Sequence, residues 1–121
     1  MNDVARLVFP NLPDRLSRAD LPWKPLRPGV EIFRLHGGAE GDDGPSAALL
    51  LYAPGAMVPE HTHPGHEHIY VLSGSQSDDN GTYGAGSLVV NRPGTRHTVH
   101  SPHGCVVLII WERPVVFTGG G

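Results

Sequence analysis

The sequence predicts an all-β fold, one barrel or sandwich built from about eight short strands. Three observations lead there. The chain has 121 residues, which suits one domain and leaves little room for a second. Its 16 glycines and 12 prolines are spread along the chain, so they read as turns between strands and not as a disordered tract. Its apolar runs are strand-sized, the longest at residues 105–111, and the 39% hydrophobic content is lean for a helical bundle.

Residues 1–29 read as an irregular arm. Pro10, Pro13, Pro22, Pro25 and Pro28 interrupt any helix longer than a turn or two, and residues 14–19 read as one short turn. Trp23 and Leu26 are expected to pin the arm to the barrel, which occupies residues 30–117. Strands are expected at 30–35, 47–53, 57–63, 67–72, 87–91, 96–99 and 105–112, with a short last one within 114–117. Pro54-Gly55, Pro64-Gly65, Ser73-Gly74 and Pro93-Gly94 mark the breaks between them. Asp78-Asp79-Asn80-Gly81 is a hairpin signal, because Asn-Gly accepts the positive φ of tight turns. Residues 118–121 read as a mobile tail.

Composition excludes several classes. The net charge is −3 and no run of Lys or Arg occurs, so neither nucleic acid nor an anionic membrane surface is an expected partner. No apolar run approaches the ~18 residues of a membrane span, and the N-terminus lacks a signal-peptide core. The single cysteine, Cys105, cannot form an internal disulfide, which suits a cytoplasmic location.

Histidine points to chemistry. Seven of the eight fall between His61 and His103, a clustering that suggests a metal site. On a strand, His61 and His63 share a face. Pro64-Gly65 then reverses the chain, and Glu67 opens the returning strand, which is expected to lie beside the first at ~4.8 Å. Ile69 and Val71 share the parity of Glu67 and should face inward, while His66, His68 and Tyr70 should face outward. Gly94-Thr95-Arg96-His97 supplies a further imidazole. His61, His63, Glu67 and His97 therefore form the expected metal site, and their donors suit zinc, iron(II), manganese, nickel or copper. Each imidazole should donate its second N–H to a carbonyl or carboxylate. His66, His68, His100 and His103 are expected at the rim or surface. Cys105 reads as a buried small hydrophobe, Tyr70, Tyr83 and Trp111 as packing residues, and Glu60, Arg92 and Arg96 as solvated charges. Met57, Tyr70, Val89, Val99 and Ile109 are the expected lining of a ligand cavity.

These residues carry a resemblance. Gly55-x5-His61-x-His63-x3-Glu67-x6-Gly74 resembles the first cupin motif at every fixed position. Gly86, Gly94 and His97 have the spacing of the second, with the proline displaced to Pro93 and Ser101 where the pattern has Asn. Trp23 to Val30, Tyr83-x-Ala85-Gly86 and Ser101-Pro102-x-Gly104-Cys105 extend the resemblance to the ChrR-like cupins, over about residues 22–112. The resemblance implies a double-stranded β-helix, or jelly-roll, and commonly a homodimer. It also implies two candidate roles. Stand-alone cupins similar to this branch include iron dioxygenases that cleave small carbonyl compounds such as β-diketones. In ChrR-like proteins the cupin instead follows a sigma-binding domain with its own zinc site. Residues 1–29 hold no Cys or His and are proline-rich, so sigma-factor binding is not expected of this chain alone. A zinc-binding sensor or ligand-binding domain is the alternative to the enzyme, and a storage or structural barrel is a third reading.

Overall fold

Turn chemistry and alternating burial set the architecture. The computed structural model describes residues 6–118, so the expectations for residues 1–5 and 119–121, including most of the expected tail, lie outside the described residues. Ten strands follow in order: β1 (Lys24–Arg27), β2 (Val30–His36), β3 (Ser46–Tyr52), β4 (Ala56–Thr62), β5 (Glu67–Asp78), β6 (Gly81–Gly84), β7 (Leu88–Asn91), β8 (Arg96–Ser101), β9 (Cys105–Trp111) and β10 (Val116–Phe117). All pairings are antiparallel. The only helical element among the described residues is a 3-10 turn, Leu12–Asp14. None is long and apolar enough to cross a membrane.

The strands form two curled sheets that share β5. One runs β1-β2-β3-β9-β5, with β7 on the far edge of the first half of β5. The other joins the second half of β5 to β6 and β8, and continues to β4 and β10. The inner faces meet in one core of Val30, Ile32, Leu50, Ile69, Val71, Val99, Val107, Ile109 and their neighbours. Burying each such branched side chain stabilises the fold by about 1.5–3 kcal/mol.

β5 runs further than the turn signal at Ser73-Gly74 suggests. It bends there, with a register shift between Val71 and Ser73. Gly74 has φ 71°, and a Cβ at this position would collide with the Gly104 carbonyl oxygen, so only glycine fits the bend.

Two other local expectations are revised. Residues 24–27 of the arm form an edge strand despite Pro25, because an edge position leaves the missing N–H without a required partner. The arm is pinned by Phe9 stacking edge-on against Phe33 at 5.8 Å, by buried Leu16, and by Arg18–Glu31 at 2.7 Å. Trp23 donates to the Ser17 carbonyl at 3.0 Å, and Leu26 lines the interior cavity. The expected turn at 14–19 is replaced by Leu12–Asp14 and a turn closed by Asp20 N–H donating to Ser17 O.

Candidate metal centre

The structure brings His61, His63, Glu67 and His97 together. All four are buried, and one donor atom from each lies within 4.8 Å of the others, an arrangement that could hold a metal ion. The three imidazole rings meet nearly edge to face, with centroids 4.7–5.1 Å apart, so their Nε2 atoms converge.

The convergence is not the hairpin that the sequence suggests. β4 and β5 do not pair; β8 stands between them in the strand order. His61 is on β4 and His97 lies opposite it on β8 in register, whereas Glu67 begins β5 in the facing sheet. His63 lies just past the end of β4, where its N–H donates to Thr95 O and its carbonyl accepts from Gly94 N–H. The centre therefore bridges the two sheets across the interior.

Hydrogen bonds fix which nitrogen faces inward. His61 Nδ1 lies 2.8 Å from the Pro59 carbonyl, which can only accept, so this nitrogen carries the proton. His97 Nδ1 lies 3.2 Å from Asp78 Oδ2, and the carboxylate likewise accepts. His63 Nδ1 lies 3.0 Å from Thr95 Oγ1, and that hydroxyl already donates to Arg92 O at 2.6 Å, so it too accepts from the imidazole. The expected second partner is a carbonyl for His61, a carboxylate for His97, and a hydroxyl for His63. All three rings thus turn an Nε2 lone pair inward.

Glu67 is held as an anion. Asn91 Nδ2 donates to its Oε1 at 3.0 Å and Trp111 Nε1 to its Oε2 at 2.8 Å. Burial pushes its carboxyl upward, while His63, His97 and His61, wherever one of them carries a second proton, draw it below the ordinary value. Burial, the largest influence on His61, lowers its tendency to protonate.

The inward atoms then lack partners. His61 Nε2 and His97 Nε2, both acceptors, face each other at 3.1 Å. His63 Nε2 is 3.2 Å from Glu67 Oε1 without hydrogen-bond alignment, and it is left buried and unpartnered. Lone pairs crowded in this way, beside one carboxylate, are what a divalent cation relieves. Two separations, 3.1 and 3.2 Å, match the edges of about 3.0–3.4 Å around an ion with bonds near 2.1 Å, and His97 Nε2 to Glu67 Oε1 is wider at 3.8 Å.

The centre opens into a cavity of about 310 Å³, within the range of small-ligand sites. Its wall is mainly apolar, with Val99 and Ile109 as expected. Met57 and Tyr70 instead face outward, and Val89 packs against the core without lining the cavity. The register shift in β4 between Val58 and His61 explains the first: it reverses the alternation, so Val58 points inward in place of Met57. At the mouth, Phe117 packs 5.6 Å from the His61 ring, and the Arg27 guanidinium lies 4.6 Å above Phe117.

His66, His100 and His103 are exposed and His68 half-buried, outside the centre. Four supporting residues escaped the sequence reading. Asp78 was legible only as a hairpin residue, and Trp111 only as packing. Asn91 and Thr95 lay within the motif stretch with no signal of their partners.

Comparison with known proteins agrees with this architecture. A family model described as the ChrR cupin-like domain matches residues 14–116. The anti-sigma-E factor ChrR of Cereibacter sphaeroides is 33% identical over 101 residues, covering 81% of this chain and 45% of that protein. The chain thus spans less than half the length of that relative. The solved complex of Rhodobacter sphaeroides SigE with the anti-sigma ChrR matches with a TM-score of 0.67 and 29% identity, over 83% of this chain and 54% of that one. An acetylacetone dioxygenase from Acinetobacter johnsonii matches with a TM-score of 0.76 over 99% of this chain and 83% of that one; at 17% identity it shares the cupin fold alone. Since the family model spans most of the chain, from arm to last strand, this protein belongs to the ChrR cupin-like domain family.

Proposed function

We propose that His61, His63, Glu67 and His97 ligate one divalent transition metal, and that the protein is an iron-type dioxygenase or related enzyme acting on a small carbonyl or enol compound. The observation that carries this reading is the opening of the four-donor centre into a mainly apolar cavity, large enough for a small molecule beside the donors. A purely structural metal site needs no such space. A divalent ion there would polarise a bound enolate oxygen and serve oxygen chemistry. The protein's part is to orient: Thr95, Asp78 and the Pro59 carbonyl hold the imidazoles, Asn91 and Trp111 hold the carboxylate, and the apolar wall excludes water.

The second reading is a zinc-binding sensor or regulatory domain without catalysis. It is favoured by the 33% identity to an anti-sigma factor. Metal analysis of protein purified anaerobically, followed by oxygen uptake with iron(II) and pentane-2,4-dione, separates the two. About one iron per chain with substrate-dependent uptake supports the enzyme. Tightly held zinc, with no uptake after exchange for iron, supports the sensor.

We further propose a cytoplasmic homodimer. Tyr70, Leu88, Val90 and Ile110 are exposed on neighbouring strands β5, β7 and β9, and β7 is a sheet edge. Light scattering that reports a monomer at all concentrations would overturn the dimer.

A further inference from the structure

The cavity has a second polar spot. Tyr52, the last residue of β3, and Gln76, on β5 beyond its bend, both line the cavity, with exposures of 4% and 3%. The Gln76 side chain is near enough to Tyr52 to act on its hydroxyl. Burial raises the Tyr52 pKa well above the ordinary value, so the hydroxyl keeps its proton. Gln76 brings two N–H donors and a carbonyl to this wall. The same cavity is lined by the apolar Ile32, Leu50, Ile69, Val99 and Ile109. Polar groups placed in such a wall are costly unless something satisfies them. The core around them is mainly aliphatic, and a Phe and a Leu would have filled the same positions.

We infer that Tyr52 and Gln76 form a specificity-determining subsite for a neutral oxygen, a hydroxyl or carbonyl, carried on the apolar body of a ligand whose chelating head faces His61, Glu67 and His97. The inference rests on the proposed metal-dependent reading and names its substrate class: a small molecule with a metal-binding enol or diketone head and one further uncharged oxygen. The Tyr52 hydroxyl would donate to that oxygen. The Gln76 amide would supply a donor or an acceptor, which lets the spot take either a carbonyl or a hydroxyl.

The test uses cobalt(II)-loaded protein and its visible absorption spectrum. The probes are pentane-2,4-diones bearing an alkyl chain of two to five carbons that ends in either hydroxyl or methyl. The ratio of the two dissociation constants at each chain length reads the subsite. At the best length, Tyr52→Phe should lower the hydroxyl-over-methyl preference by about five- to tenfold, the range of one neutral hydrogen bond. Gln76→Met should do the same, and serves as the second variant should Tyr52→Phe disturb packing. Both variants should keep one metal per chain and bind the methyl probes as before. A preference unchanged within twofold in both variants at every length would overturn the subsite and leave the metal reading intact. If no probe alters the wild-type spectrum, the metal-centred substrate reading falls, and the subsite with it.

Discussion

His63 and His66 are three residues apart and belong to different environments. The first is buried, donates to Thr95 and has its other nitrogen unpartnered among the candidate metal donors. The second is exposed and clamped by Glu112, whose Oε1 accepts from both its backbone N–H and its Nδ1 at 2.8 Å. The same imidazole is a ligand candidate in one setting and a surface clamp in the other. What separates them is the unsatisfied atom: a buried nitrogen with nothing to bond marks chemistry, and an exposed nitrogen with a carboxylate marks structure.

Direct substitution is the strongest way to break this contrast. His63→Ala or Glu67→Gln should take bound metal from about one per chain to near zero, with an affinity loss above the about 10–100-fold typical of an outer partner. Mass-spectrometric metal analysis reads it, and retained stoichiometry would refute the ligand assignment. Asp78→Asn and Thr95→Val should each weaken metal binding by about 10–100-fold while keeping the four donors, as measured by chelator competition.

Acid sharpens the contrast next. The buried His61 resists protonation in the folded state, so between its lowered pKa and the ordinary 6.5 the unfolded chain binds more protons. Below the ordinary 4.5 the same holds for Glu67, whose folded pKa is also lowered. Both effects have one sign: the metal-free protein should be less stable to urea at pH 5.5 than at pH 8, and should weaken further below pH 4.5. Equal unfolding midpoints at pH 8 and 5.5 would contradict the buried neutral imidazole. The smallest effect belongs to the outer histidine: His66→Ala should leave metal content unchanged, and a loss matching that of His63→Ala would show that the inner and outer assignments are exchanged.

Much of this arrangement is legible in the sequence. The parity of His61 and His63, and of Glu67, Ile69 and Val71, follows from a two-residue repeat, and each of these side chains is buried. What the sequence did not disclose is nonlocal. Pro64-Gly65 correctly signals a chain reversal, but not that the strands on either side enter different sheets. Met57 was misplaced because a β-bulge leaves no reliable trace in composition, yet it inverts every residue counted across it. Asp78 is 19 residues from His97, and nothing in an Asp-Asp-Asn-Gly turn announces a carboxylate aimed at a ring on another strand.

The bend at Gly74 gives β5 a mechanical role. Drawn straight, its twelve residues would hold their ends roughly 36 Å apart. Folded over the Gly104 backbone, the strand closes like a caliper: Glu67 at its first residue and Asp78 at its last both reach His97, at 3.8 and 3.2 Å. The pivot itself touches no donor. Its angle nonetheless sets the gap between the jaws, so a change at residue 74 would detune the centre from a distance and leave every ligand chemically intact.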